Sequence, residues 1–335
     1  MPPRHLIVTV YGMYARAGGT GSIDGGGGID GGGGWLSVAA LIRLLADLGV
    51  DEPAVRSAIS RLKRRGMLQA RRHDGAAGYE LSEPALAILR EGDARIFRRD
   101  RATLADGWLL AVFSVPESER HRRHVLRTEL TRLGFGMAAP GVWIVPARPG
   151  TAPAEITTAD MLRRLGLDGY AELFRATHVA FGDLAAKVRQ WWDLDELERR
   201  YGEFLRTHSP VLDRAHEERS AFADYMLALT DWRRLPYLDP GLPAELLPAD
   251  WIGIRAADLF FTLRTRLAGP AEAYVRRITS ATGLRVGPPS PGSPPAPPGP
   301  TAGSPRRPPS PDSQYRPAAA IPRRSRERAR GSRPC

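Results

Sequence analysis

Apolar and polar positions divide this chain into blocks of different period. Val55, Ala58, Ile59 and Leu62 recur at helical spacing, while Arg56, Ser57, Ser60, Arg61, Lys63 and Arg64 fill the opposite face. Asp51 suits the N-cap, Pro53 suits the first turn and Gly66 stops the helix. Met67 and Leu68 return to apolar character, Arg71, Arg72, His73, Asp74 and Gly75 read as a basic hairpin tip, and Tyr79 and Leu81 resume a strand. Before this block stand an apolar segment, Leu6 to Tyr14, and a predicted helix from Trp35 to Leu48, capped by Ser37 and closed by Gly49. A further helix is predicted from Ser82 to about Arg101. Helix, tight turn, helix and basic hairpin in that order outline a winged helix-turn-helix. One amphipathic basic helix alone reads as a solvated face; its neighbours turn the reading toward DNA.

The pattern then changes to α+β. Trp108 to Val115 reads as a strand ended by Pro116, Glu117 to Leu133 as a helix and Val142 to Val145 as a strand. Thr157 to about Leu165 and Thr177 to Phe181 add a helix and a strand, a succession compatible with a small ferredoxin-like unit. From Asp193 the chain turns helical, over Leu194 to Leu205, Ser220 to Leu229 and Ile254 to Leu267. A proline-rich connector separates the last two. Past Leu284, Pro, Ser, Gly and Arg dominate, a composition that buries too little apolar surface to fold, so disorder is expected.

The fold class expected is therefore multidomain α+β: a winged helix over residues 1–101, a ferredoxin-like domain over 102–190, a helical domain over 191–284 and a disordered tail over 285–335. The net charge of +11 on 335 residues is unevenly spread. Ten arginines against Asp312 and Glu327 give the segment from Arg285 onward +8, and residues 1–101 carry +4, so the middle is nearly neutral. Only Lys63 and Lys187 are lysines, which reflects base composition more than selection for phosphate. The repeat IDGGGG occurs twice between Arg16 and Trp35. It lacks the Gly-Lys-Ser/Thr ending of a phosphate loop and reads as a flexible insertion over residues 17–34.

Cys335 is the single cysteine, which excludes a disulfide framework and a thiolate metal site. No apolar run is long enough to span a bilayer and nothing at Met1 resembles a signal peptide, so a cytoplasmic protein without a membrane partner is expected. His121 and His124 lie three apart on a helix but have no third ligand nearby in sequence, and no metal is expected.

Seven stretches, in order, carry a family resemblance: LIVTVYGMYAR, AVRSAISRLKRRGML, YELSEPALAIL, GWLLAVFSVPE, LGFGMAAPGVWIVP, HVAFGD and LPYLDPGLPAELLPADW. From about residue 5 to residue 280 the chain resembles the PaaX-type transcriptional repressors, named for the regulator of phenylacetic acid degradation. The glycine-rich insertion and the Pro/Arg tail depart from the usual pattern. The resemblance implies an N-terminal winged helix, a central domain similar to the small CRISPR-associated ferredoxin-like nucleases and a C-terminal helical domain. It also implies a homodimer that binds double-stranded operator DNA and is released by an acyl-CoA, phenylacetyl-CoA in the best-known branch.

On this reading Arg56, Ser57, Ser60, Arg61 and Arg64 face the major groove, and Arg71 and Arg72 touch backbone or minor groove. An acyl-CoA needs cations for its phosphates and an apolar pocket for its acyl group, and the segments around Trp191, Trp192, Trp232, Arg233 and Arg234 offer both. No catalytic residue and no bound cofactor are expected. A nuclease reading fails on ligands, because Ser114, Val115 and Pro116 stand where such nucleases carry an Asp at the end of the first strand. The remaining alternative is non-specific nucleic-acid binding or a structural role through the basic tail.

Overall fold

The computed structural model describes residues 1–15, 34–97, 101–147 and 153–283. The glycine-rich insertion, residue 34 excepted, and the tail from residue 285 lie outside the described residues. The first block runs α1 (Pro3–Tyr14), β1 (Trp35–Ser37), α2 (Val38–Ala46), α3 (Glu52–Arg64), β2 (Leu68–His73), β3 (Ala76–Leu81) and α4 (Glu83–Ile96). The second runs β4 (Trp108–Phe113), α5 (Arg120–Leu133), β5 (Gly136–Ala139), β6 (Val142–Pro146), α6 (Ala154–Arg164) and β7 (Ala171–Ala176). Then come α7 (Leu184–Trp191), α8 (Leu194–His208), α9 (Glu218–Trp232), α10 (Leu235–Leu238) and α11 (Ile252–Gly283).

Both sheets are antiparallel. Three strands form the first, in the order β1-β3-β2. The second has four, in the order β5-β6-β4-β7, which is the ferredoxin-like arrangement for a β-α-β-β-α-β succession. Its strands alternate: Leu109, Ala111 and Phe113 point to the side where Leu126 and Leu130 of α5 and Met161 and Leu162 of α6 close a small core. On the other side Trp108 meets Trp191 and Trp192 at centroid distances of 6.2 and 6.3 Å.

A second, larger core joins the first block to the C-terminal helices without a break. Leu6, Ile7, Val10 and Tyr11 of α1 belong to the same apolar cluster as Phe222, Tyr225 and Met226 of α9 and Phe260, Leu263 and Val275 of α11. Polar ties cross the same boundary. Thr230 donates to Thr9 at 2.9 Å, the Trp232 indole N–H donates to the Ile96 carbonyl at 2.9 Å, and Arg219 reaches the Asp47 carboxylate at 2.7 Å. The Tyr274 hydroxyl donates to that same Asp47.

Arg101, at the start of the central domain, closes a buried clasp. Its guanidinium meets both Asp239 carboxylate oxygens, at 3.0 and 3.1 Å, and the Leu242 carbonyl at 3.0 Å. Tyr201 and the Gly241 N–H donate to the same carboxylate at 2.8 and 2.7 Å. Burial alone would raise the Asp239 pKa; the Arg101 charge and these hydrogen bonds outweigh it and hold the carboxyl below its ordinary value.

Several sequence expectations need correction. Trp35 to Ser37 is a strand rather than the first turn of a helix, because it pairs with β3 and Ser37 caps the helix that follows, accepting from Ala40 N–H at 3.0 Å. The fourth strand of the ferredoxin-like sheet is β7, which ends at Ala176, whereas Thr177 to Phe181 lies beyond it and leaves Val179 and Phe181 exposed. The helix that follows α4's N-cap Ser82 ends at Ile96, short of Arg101. The last helix continues well past Leu267, through Pro270, because Ala271, Tyr274 and Val275 are buried in the large core.

Candidate nucleic-acid interface

The α3 helix starts where its sequence says it should. Asp51 Oδ1 accepts from Ala54 N–H at 2.8 Å, Pro53 sits in the first turn, and Val55, Ala58, Ile59 and Leu62 are buried. The turn from α2 passes through Gly49 at φ 76°, and Gly66 at φ 69° ends α3. With its apolar stripe fixed against α1 and α2, the helix has no choice of outward face. Arg56, Ser57, Ser60, Arg61, Lys63, Arg64 and Arg65 are all exposed.

Partners of these cations are few and local. Arg56 pairs with Glu52 at 2.7 Å and Arg61 donates to Ser57 Oγ at 3.0 Å, each one helical turn away. Among the described residues the side chains of Lys63, Arg64 and Arg65 have no hydrogen-bond or ion-pair partner. Exposed pairs of this kind are weak and screened, so a phosphate displaces the carboxylate readily.

The β2–β3 hairpin turns through Asp74 and Gly75, both at positive φ (47° and 80°), the geometry of a tight two-residue turn whose twist matches the strands. Arg71 and Arg72 are exposed; Arg71 is held by Glu80 at 2.7 Å, while Arg72 has no partner among the described residues. What stiffens this ribbon was not among the sequence expectations. Trp35 lies across it, donating its indole N–H to the Arg71 carbonyl at 3.2 Å, with its ring 5.6 Å from the His73 ring. Gly78 makes room, since a Cβ there would stand 2.3 Å from the Trp35 ring. A lone glycine inside a strand was the available signal. From below, the buried Tyr11 hydroxyl donates to the Tyr79 carbonyl at 3.0 Å and ties β3 to α1.

The residues singled out for an effector fall in two places. Trp191 and Trp192 pack on each other and on Trp108, and the Trp192 indole N–H donates to the Gly134 carbonyl at 3.0 Å. Trp232 is 3 % exposed and stacks on Phe260 at 4.7 Å. No ring contact joins the two groups among the described residues. Arg234 is exposed. Arg233 donates to Thr9 at 3.1 Å and lines a cavity of about 30 Å³ with Val8, Met13, Leu89 and Phe97, where α1, α4 and α9 meet. That space is small and partly open to solvent.

At the end of β4, Ser114 donates its backbone N–H to the Tyr170 carbonyl at 3.0 Å and Pro116 follows, so no carboxylate projects from that position. His121 and His124 are exposed on α5. Among the described residues no group of three or more His, Cys, Asp or Glu is placed to hold a metal ion, and no helix is long and apolar enough to cross a membrane.

Three family models match consecutive parts of the chain: PaaX-like protein over residues 26–85, PaaX protein central Cas2-like domain over 101–188, and PaaX-like protein C-terminal domain over 192–277. The chain is 31 % identical over 254 residues to the transcriptional repressor PaaX of Escherichia coli (strain K12), a match covering 72 % of this chain and 76 % of that repressor. Among solved structures, the uncharacterized protein Rv0674 from Mycobacterium tuberculosis is 27 % identical, with a TM-score of 0.49, covering 73 % of this chain and 92 % of that one.

Proposed function

The chain belongs to the PaaX family of transcriptional regulators, and on that premise we propose that it is a cytoplasmic repressor whose N-terminal block is a winged helix-turn-helix reading an operator. In this reading α3 is the recognition helix and the β2–β3 hairpin is the wing. The observation that carries it is the outward face of α3: a rigidly backed helix that presents Arg56, Ser57, Ser60, Arg61 and Arg64 to solvent, with Glu52 their one acidic partner among the described residues. Arginine at a base edge supplies bidentate readout of guanine, while Arg71 and Arg72 on the wing supply sequence-independent contacts to backbone or minor groove.

The test separates the two roles. Binding of Arg61→Ala and Arg71→Ala variants is titrated by fluorescence anisotropy against operator and scrambled duplexes. Arg61→Ala should lose about 1–3 kcal/mol of discrimination, and Arg71→Ala should weaken both duplexes alike. Equal losses on both duplexes for both variants would refute the assignment.

The repressor acts as a homodimer on inverted half-sites in this proposal, since a two-fold protein matches a palindrome with one recognition helix per half-site. The central domain, residues 102–190, is the proposed interface. A monomer in sedimentation equilibrium of the full chain on its operator would remove the dimer from the account. Its effector is an acyl-CoA such as phenylacetyl-CoA. Arg233 and Arg234 are the proposed phosphate ligands and Trp191, Trp192 and Trp232 the proposed apolar surfaces; because the cavity beside Arg233 is small, entry there requires α1, α4 and α9 to part.

A further inference from the structure

The central domain is close to neutral as a whole, yet one of its helices is strongly one-sided. The α5 sequence, RHRRHVLRTELTRL, buries Leu126 and Leu130 and turns Arg120, His121, His124, Arg127, Thr128 and Thr131 outward, all exposed. The acidic residues nearby are already committed on the flanks. Glu117 pairs with Arg123 at 3.0 Å, Glu119 with Arg122 at 2.6 Å and Glu129 with Arg132 at 2.9 Å. Arg120 and Arg127 are left without an acidic partner among the described residues, and both belong to the outward face.

Arg120, His124 and Arg127 stand at i, i+4 and i+7, so they form one line along the helix. The line is about 10 Å long at 1.5 Å per residue, close to the axial rise over about three phosphate-to-phosphate steps of one strand. A protein partner is a poorer fit: docking surfaces between proteins are anchored by buried aromatic or aliphatic side chains, and Val125 is the one large apolar side chain that α5 exposes. A phosphate backbone asks only for cations and N–H or O–H donors.

We infer that the outer face of α5, through Arg120, His121, His124 and Arg127, is a second contact to the phosphate backbone of duplex DNA, reached outside the bases read by α3. The inference rests on the DNA-binding reading of α3. It adds a sequence-independent term from a domain otherwise assigned to the protein–protein side of the assembly.

The salt dependence of binding to a long random-sequence duplex tests it, using the full chain and an Arg120→Gln/Arg127→Gln variant. Removing two phosphate contacts per chain should flatten the slope of log K against log salt by about 1.8 per bound chain, about 3.6 for the dimer. Between about 50 and 200 mM salt the wild type then loses roughly tenfold more affinity than the variant for each chain bound, on the order of a hundredfold more for the dimer. An Arg120→Lys/Arg127→Lys variant should regain the wild-type slope, which a merely structural role of the arginines would not predict. A Gln variant that keeps the wild-type slope overturns the inference, and if Arg61→Ala still loses operator discrimination in the same preparation, the reading of α3 survives. A wild type that binds no duplex overturns both.

Discussion

Replacing Arg101 by alanine removes the cation from a carboxylate that stays buried. Asp239 is 7 % exposed and Arg101 21 % on their side chains, and the pair is bidentate. Removing one partner of such a pair costs about 3–5 kcal/mol, chiefly because the remaining charge is uncompensated. For a folded unit of this size each kcal/mol moves the melting temperature by roughly 2 °C, so the expected fall is about 6–10 °C. Asp239→Asn in the Arg101→Ala background should recover part of the loss, since the amide oxygen still accepts from the Gly241 N–H and its NH2 can donate to the Tyr201 hydroxyl oxygen. The pH dependence has a definite sign. The folded-state carboxyl lies below its ordinary value of about 3.9, so the stabilisation is fully present above pH ~4 and is lost as pH falls through the lower folded-state value. In Arg101→Ala the burial and the hydrogen bonds from Tyr201 and Gly241 remain without the cation, and the gap in stability between wild type and variant should narrow on acidification. Thermal melts from about pH 7 to pH 3 measure both. A single-variant loss under about 1 kcal/mol, with a second substitution that adds to it independently, would refute the argument.

Gly78→Ala should leave the fold standing but expel the Trp35 ring from the hairpin, because a Cβ 2.3 Å from that ring cannot coexist with it. Weaker binding to operator and scrambled duplexes alike, with hydrogen-exchange protection lost at the Arg71–Gly78 pair, is the expected result. The effector assignment predicts that a CoA thioester dissociates the operator complex and that Arg233→Ala blunts the response. Release by a free acid but by no thioester would replace the ligand and leave the repressor in place.

Legibility in the sequence followed the locality of the interactions. The α3 helix was readable because its cap at Asp51, its apolar stripe and its stop at Gly66 lie within one short stretch. The exposed arginines followed from that stripe. β1 was not readable: three residues carry no period of their own, and their extended form comes from pairing with Gly78 to Glu80. β5 escaped for the same reason. Past Pro270 local propensity argues for a break, and burial of Ala271, Tyr274 and Val275 overrides it. For the tryptophans, residue type alone does not distinguish a pocket wall from a core, and the ring that covers Trp232 is Phe260, brought by another helix.

The continuous core between α1 and α9 also sets a timetable. Thr9 and its partner Thr230 are separated by 221 residues. At a synthesis rate of about 5–20 residues per second, α1 waits roughly 10–45 s on the ribosome before the surface that buries it exists. Until then Leu6, Ile7 and Val10 have only part of their final cover, and the nascent block is exposed to the chaperones and proteases that survey such surfaces. α3, which rests on α1, therefore acquires its full support only when nearly the last of the described helices has been made.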